Sequence, residues 1–183
     1  MSRFLLALCL LVALPVSAAT KVLVTTNIGS FTVELNEAKA PITTKNFLRY
    51  VDDGSYVGTI FHRVIPGFMA QGGGFNQALK QRPSYPPIKN EADNGLPNDM
   101  ATIAMARTQN PNSATRQFYI NLANNAFLNT QGNRTGYAVF GKVIKGFPVV
   151  EKMATIPTTS NPQTGMSDIP QQPIIIEAMK VIK

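Results

Sequence analysis

The chain has 183 residues, with 17 basic and 10 acidic side chains, a formal net charge of +7, one histidine and one cysteine. So few histidines and cysteines leave little with which to build a metal site. The scattered basic residues form no run of the kind that contacts nucleic acid. We therefore expect no metal, no cofactor and no nucleic-acid partner.

The first segment, residues 1–19, is typical of a secretory signal peptide. The positive charge of Arg3 precedes an uncharged apolar run from Phe4 to Val16, and small residues suited to cleavage follow. The run is too short for a membrane span, so we expect no stable membrane association. We predict a mature domain of residues 20–183. Its charge, with Arg3 removed, is 16 minus 10, or +6.

Two stretches after this segment predict a β-hairpin. Residues 21–27 and 30–36 both alternate apolar with polar side chains, and a turn containing Gly29 separates them. Pro41 can open a helix that continues through Asp53, before Gly54 stops it. One helix after two strands, followed by more strands, favours an α+β fold or a capped barrel over a parallel sheet.

The stretch from Phe61 to Gly73, FHRVIPGFMAQGG, predicts a second hairpin. Pro66 presets the backbone of a type II turn and Gly67 supplies the positive φ that this turn needs. Arg63 and Gln71 would then be near neighbours on adjacent strands, although the sequence does not fix the register. Two interpretations are open for these polar groups. They are the water-facing alternates of a barrel strand, or they mark an apolar pocket with a cation and an amide at its edge.

The rest of the chain predicts strands, one helix and two long loops. Residues 76–98 and 157–173 are rich in proline and lack a clean period, so both are predicted as loops. The other predicted elements are strands at 101–108, 117–122, 137–143 and 174–182 and a helix at 147–155. No internal repeat or linker divides the mature chain, which indicates a single domain.

The run FHRVIPGFMAQGG resembles the signature of the cyclophilins, the barrel-type peptidyl-prolyl cis/trans isomerases. The predicted strands at 101–108, 117–122 and 137–143 are similar to cyclophilin strands, and Ile88 to Ala92 resembles a stretch common in bacterial members. The resemblance covers essentially the whole mature chain. It implies a mostly β fold, a closed eight-stranded antiparallel barrel capped by two α-helices, and prolyl isomerase activity.

The resemblance also implies a role for each site residue. Arg63 would be the catalytic cation, and Gln71 would help to position it and the substrate backbone. His62 belongs to the site by position, although packing and hydrogen bonding suit it better than acid–base work, because the reaction moves no proton. The implied substrate-binding residues are Phe68, Met69, Tyr119 and Leu128 in a proline pocket, Ala106 and Arg107 along the groove, Gln117 at its floor, and Phe127 and Tyr137 at its edge.

Prolyl isomerisation suits a chain without nucleophile or metal motifs. The X-Pro amide rotates over a barrier of about 18–20 kcal/mol that arises from amide resonance, and no bond to another atom forms or breaks. In the twisted state the nitrogen lone pair becomes a better acceptor. A guanidinium beside that nitrogen therefore stabilises the twisted state more than either planar state.

The expected substrates are proline-containing unfolded or partly folded exported proteins. Phe127 and Tyr137 stand where animal cytosolic cyclophilins commonly have tryptophan and histidine, and they resemble the residues of bacterial exported members. We therefore expect a monomer in the periplasm of a Gram-negative cell, with weak binding of cyclosporin, the cyclic peptide that many cyclophilins bind.

Two alternative functions stay open: a proline-recognising binding module or holdase with incidental isomerase activity, and a structural barrel for protein assembly. The complete catalytic set argues against the first, and no extra segment supports the second.

Overall fold

The computed structural model describes residues 19–182, so the predicted signal peptide lies outside the described residues except for Ala19. The described chain forms ten strands, two α-helices and a short 3-10 helix at Ala126–Leu128. The strands are β1 (Lys21–Thr26), β2 (Gly29–Leu35), β3 (Thr59–Ile65), β4 (Met69–Asn76), β5 (Thr102–Met105), β6 (Phe118–Asn121), β7 (Val139–Lys145), β8 (Thr158–Asn161), β9 (Met166–Pro170) and β10 (Ile176–Ile182), and the helices are α1 (Pro41–Asp52) and α2 (Phe147–Met153). Neither of these helices is long and apolar enough to cross a membrane.

Eight strands form one curled antiparallel sheet in the order β10-β1-β2-β7-β5-β6-β4-β3. The predicted eight antiparallel strands and two helices are confirmed, but "closed" overstates the barrel. In the described chain, the two ends of the sheet meet at a bridge between Ile60 and Ile175 and at two backbone hydrogen bonds, from Gly58 N to Ile176 O (2.8 Å) and from Phe61 N to Ile174 O (2.9 Å). Strand β9 also packs along β3. The sheet is a half-barrel.

The main hydrophobic core fills the inside of the curled sheet. Alternate strand residues point inward, and Phe47 and Tyr50 of α1 pack against them, with Phe47 in an edge-to-face contact with Phe118 (ring centroids 5.5 Å). The opposite face of β4, β5, β6 and β7 is also buried in part, which explains why β5 and β6 are buried at every residue. A second apolar surface therefore exists outside the core.

The predicted long loop at 76–98 is confirmed, and it is held to the fold by Glu91. Helix α1 begins at Pro41, as predicted, and has no N-terminal cap of its own. The Glu91 carboxylate accepts hydrogen bonds from the Ile42 and Thr43 amides (3.0 and 2.8 Å) and from the Thr43 hydroxyl (2.7 Å). A carboxylate at a helix N-terminus satisfies free amides and interacts favourably with the helix dipole. The stretch that resembles bacterial members thus serves as a cap supplied from a distance.

Arg116, a residue that the sequence pattern did not single out, is buried at 1% exposure. Its guanidinium donates to three backbone carbonyls: Gly73 O (2.6 Å), Pro83 O (2.5 Å) and Ser55 O (2.7 Å). Burying a charge is costly unless it is hydrogen-bonded, and three of the five guanidinium N–H groups donate to these carbonyls. The arginine thereby joins β4, the long loop and the segment after α1.

The prediction of a loop over residues 157–173 is wrong, because the segment contains the hairpin of β8 and β9. Thr158 pairs with Pro170, Thr159 with Ile169 and Asn161 with Met166. Polar composition and proline concealed these strands, but proline is tolerated at strand ends, where no ladder hydrogen bond is required. Smaller differences affect the ends of elements: β5 is shorter than predicted, β7 is shifted toward the C-terminus, and α2 ends at Met153.

Candidate active site

A β-bulge in β3 brings Arg63 to the outer face of the sheet. Phe61 is opposite Gly72 and Arg63 is opposite Gln71, so β3 advances two residues while β4 advances one. The extra residue, His62, lets Phe61 point into the core and Arg63 point outward. The predicted proximity of Arg63 and Gln71 is confirmed. Gly67 has φ +69°, as the predicted type II turn between these strands requires.

An apolar cluster lies on the same outer face, where the sequence predicts the substrate groove, and we refer to this surface as the groove. We call its buried residues the floor and the half-buried residues packed against them the walls, and both come from residues far apart in the chain. The floor consists of Met69, Ala104, Tyr119 and Val139, and the walls of Ile65, Phe68, Leu96, Ala106, Leu128 and Tyr137. The four predicted proline-pocket residues meet here, together with Ala106 and Tyr137. The sequence reading missed Ile65, Leu96, Ala104 and Val139. Strand alternation could have indicated three of these, but Leu96 lies in a loop that gives no such signal.

Two glutamine side chains form a pair beside Arg63. Gln71 Nε2 donates to Gln117 Oε1 at 2.9 Å, which unites two predicted site residues. A Cβ added at Gly74 would lie 2.5 Å from Gln117 Cγ, so glycine is needed there for close packing. Within residues 19–182, Arg63 makes no hydrogen bond to Gln71. Its Nε instead lies 3.3 Å from Oδ2 of Asp168. The sequence did not predict Asp168 as a site residue, because Asp168 lies in the hairpin of β8 and β9, which was predicted as a loop.

The hydroxyl of Tyr119 is engaged beneath the groove. It donates to Oδ1 of the buried Asn98 at 2.7 Å, and Asn121 Nδ2 also contacts that oxygen at 3.3 Å. Burial raises the pKa of the Tyr119 phenol well above its usual value, so the group stays protonated. The hydroxyl therefore anchors the loop that contains Asn98 and is already occupied by a protein partner.

Arg107 lies against Tyr137, a half-buried residue of the groove, and its cation is already engaged. Its guanidinium lies over the Tyr137 ring, 4.5 Å from the centroid, and donates to Thr135 O (2.6 Å) and Thr108 O (2.8 Å). These contacts fix the side chain beside the groove.

Phe127 is at the rim. It is 54% exposed and stacks on Phe68, with the ring centroids 5.6 Å apart. Its outer ring surface is therefore open to a ligand in the groove.

His62 is buried within β3, at 4% exposure, with its ring at 4.7 Å from that of Phe75. Among the described residues its Nδ1 has no hydrogen-bond partner. Burial lowers the pKa of His62 to about 4, against an opposing backbone interaction with Ile60. The imidazole is thus neutral at neutral pH, and no hydrogen bond links it to Arg63 or Gln71 in the described chain.

The arrangement can bind an apolar group in a groove and present a cation and two amides beside it. Its only histidine is buried and neutral, so the geometry suits electrostatic stabilisation of a bound group rather than proton transfer. These features define a binding-type active site on the outer face of a half-barrel.

Comparison with known proteins agrees with this class. Residues 21–181 match the family model described as cyclophilin type peptidyl-prolyl cis-trans isomerase/CLD. The chain is 50% identical over 171 residues to peptidyl-prolyl cis-trans isomerase A of Dickeya dadantii, covering 93% of this chain and 89% of that protein. It is 49% identical over 160 residues to peptidyl-prolyl cis-trans isomerase B of Escherichia coli, covering 85% and 96%.

A solved structure of similar fold is a cyclophilin type isomerase from Cryptosporidium parvum, with a TM-score of 0.73, 28% identity and coverage of 90% of this chain and 98% of that one. The chain therefore belongs to the cyclophilin family and is a peptidyl-prolyl cis-trans isomerase.

The buried His62 predicts a specific acid sensitivity. Its pKa is about 4 in the folded protein and about 6.5 when unfolded, so the unfolded chain takes up the proton first. The contribution of the neutral His62 to the free energy of unfolding is fully present above about pH 6.5. It is lost as the pH falls toward 4, by about 3 kcal/mol in total. In His62→Gln this part of the pH dependence of the unfolding free energy should be absent. Urea unfolding of both proteins at several pH values measures it. Parallel curves of unfolding free energy against pH for the two proteins would contradict the shift.

Proposed function

We propose that Arg63 is the residue that stabilises the twisted X-Pro amide. The observation that carries this proposal is its position: a half-exposed guanidinium on the outer face, across from Gln71 and next to an apolar groove. Among residues 19–182, its two terminal nitrogens donate no hydrogen bond, so both remain available for a ligand. In the part of the chain that the structure describes, the protein partner of this guanidinium is on Nε.

In this proposal the groove holds the proline ring while the residues on the other side of the bond rotate. Met69 and Tyr119 at the floor and Phe68 and Leu128 at the walls supply apolar contact that fixes one end of the bond. The guanidinium donates to the prolyl nitrogen as its lone pair is released from resonance. Lowering the barrier by about 6 kcal/mol accelerates rotation on the order of 10⁴-fold.

The glutamine pair is assigned to the substrate backbone. Gln71 and Gln117 hold each other through one amide hydrogen, which leaves one donor on Gln71 and both donors of Gln117 for peptide carbonyls. His62 is assigned a packing role, because it is buried against Phe75 and the reaction moves no proton. The pairing of a complete cation–amide set with the groove favours catalysis over a proline-binding holdase.

The proposed clients are unfolded or partly folded exported proteins in the periplasm, and the protein acts there as a monomer. The charge pattern of residues 1–19 supports export, and the groove, Arg63 and the glutamine pair all come from one chain. The same Cryptosporidium parvum isomerase was also solved in the presence of the dipeptide Ala-Pro, and that structure matches with a TM-score of 0.72 and 29% identity. That observation is consistent with proline-containing segments as ligands here.

Arg63→Ala should lose most of the isomerase activity while the protein stays folded. Removing one preorganised donor costs about 3–4 kcal/mol, or 10²–10³-fold in kcat/KM. Arg63→Lys, which keeps the charge and loses the planar fork, should recover only part of it. The measurement is isomerisation of a short uncharged X-Pro peptide, with urea unfolding of each variant as the control for folding. Nearly full activity in Arg63→Ala would refute the proposed mechanism.

Export should leave a shortened chain. Mass spectrometry of the protein from the periplasmic fraction of an expressing cell is expected to show a mature chain that begins at Ala19 or Thr20. A soluble cytoplasmic pool that retains Met1, with none in the periplasmic fraction, would remove the proposed location.

Cyclosporin should bind weakly because Phe127 lacks the indole N–H of the tryptophan that drug-sensitive relatives carry there. One hydrogen bond and some apolar contact at a groove rim are worth roughly 1–3 kcal/mol, or about 5- to 150-fold in affinity. Phe127→Trp should therefore gain affinity within this range, with peptide turnover little changed. Phe127→Leu, which lacks both the donor and the ring, is the control. Equal inhibition of all three proteins at nanomolar drug would count against this reading.

A further inference from the structure

The ion pair between Arg63 and Asp168 connects the proposed catalytic cation to a hairpin outside the main sheet. Asp168 lies in β9, 105 residues along the chain, and its Oδ2 is 3.3 Å from Arg63 Nε. Ser167 Oγ donates to the same carboxylate oxygen at 3.1 Å. No residue type or spacing in the sequence predicts this contact, because the two residues meet only when β9 packs along β3.

Both members of the pair are aimed by irregularities in their strands. The extra residue in β3 turns Arg63 outward, as described above. In β9 the pairing advances from Ile169 to Met166, three residues, while β8 advances two, so one residue is again in excess. Asp168, within this bulge, has φ +58°, a left-handed conformation that aspartate and asparagine tolerate better than most residues. A bulge of this kind redirects a side chain, here toward Arg63.

The carboxylate of Asp168 contacts Nε of Arg63 and not its terminal nitrogens. A carboxylate on Nε fixes the rotation of the guanidinium plane and leaves Nη1 and Nη2, the two terminal nitrogens, unoccupied in the described chain. A carboxylate that bound the terminal nitrogens would instead compete with a ligand. The observed contact therefore restricts orientation without occupying the fork.

Stability alone is a poor account of this pair. The two side chains are 41% and 34% exposed, and ion pairs at that exposure contribute little to folding. Preorganisation of a donor in an active site, by contrast, acts on the transition state, where a small loss of geometry reduces the rate.

We propose that Asp168 is a positioning residue for Arg63: its carboxylate holds Nε so that the terminal nitrogens are oriented toward the prolyl nitrogen of the substrate. This inference rests on the role proposed above for Arg63. It adds a dependence on the hairpin of β8 and β9, which contributes none of the described residues of the apolar groove. The hairpin thereby becomes part of the catalytic apparatus through one hydrogen bond.

Two variants separate the carboxylate from the backbone that carries it. Asp168→Gly removes the side chain and suits the left-handed backbone at φ +58°. Asp168→Asn keeps the shape and one acceptor oxygen but removes the charge. Glu177→Gln, which removes an exposed carboxylate from β10, is the matched control for net charge. All are assayed on an uncharged X-Pro peptide, alone and in the Arg63→Ala background.

Asp168→Gly should lower kcat about 2- to 5-fold, the range expected for loss of an exposed ion pair, with KM nearly unchanged. Asp168→Asn should lose less, and Glu177→Gln should match the wild type. The difference between the wild type and Asp168→Gly should shrink as NaCl is raised to about 1 M, where the Debye length is about 3 Å. In the Arg63→Ala background, Asp168→Gly should have no further effect.

Three results would overturn the positioning role alone while Arg63→Ala still abolishes most activity. These are unchanged kcat in Asp168→Gly, increased kcat in both Asp168 variants, or an equal loss with and without Arg63. The second result would mean that the carboxylate holds Arg63 in a less active orientation. The third would mean that Asp168 affects activity through the stability or shape of the protein and not through Arg63. Retained activity in Arg63→Ala would instead overturn the role of Arg63 itself and, with it, that of Asp168.

Discussion

The pairing of β3 with β4 around one extra residue is the constraint on which this active site depends. In a regular strand Phe61 and Arg63 would share a face, and either the core would lose an aromatic ring or the groove would lose its cation. The bulge at His62 allows both. It also encloses the imidazole, which stays neutral because burial disfavours its charged form. One irregularity thus separates the packing face from the catalytic face.

The loops around this pairing are held by long-range polar contacts rather than by their own regular structure. Arg116 binds three carbonyls from three segments, one of them Gly73 in β4, and Glu91 supplies the cap that α1 lacks. Buried polar groups of this kind are costly to leave without hydrogen bonds, so they tie the loops to one arrangement. At the groove, the hydrogen bond from Tyr119 to Asn98 ties the long loop to β6 in the same way. A site that works by electrostatic preorganisation requires such support.

Local structure was largely readable from neighbouring residues. The turn at Pro66 and Gly67, the start of α1 at Pro41 and the first hairpin all follow from backbone preferences that act over a few residues. The family signature added the site composition, and the groove does bring Met69 and Tyr119 together. The hairpin of β8 and β9 was not predicted, because short polar strands bounded by proline lack the alternation that marks a strand.

The sequence by itself determined the fold class, the turn that places Arg63 near Gln71 and several of the apolar residues that line the groove. Only the tertiary structure decided the bulge, the buried position of Arg116 and the pairing of Arg63 with Asp168 across 105 residues. The physical reason is the range of the interactions. Turn and helix preferences are properties of adjacent residues, whereas strand register and ion pairing depend on which distant surfaces the folded chain brings within a few ångströms.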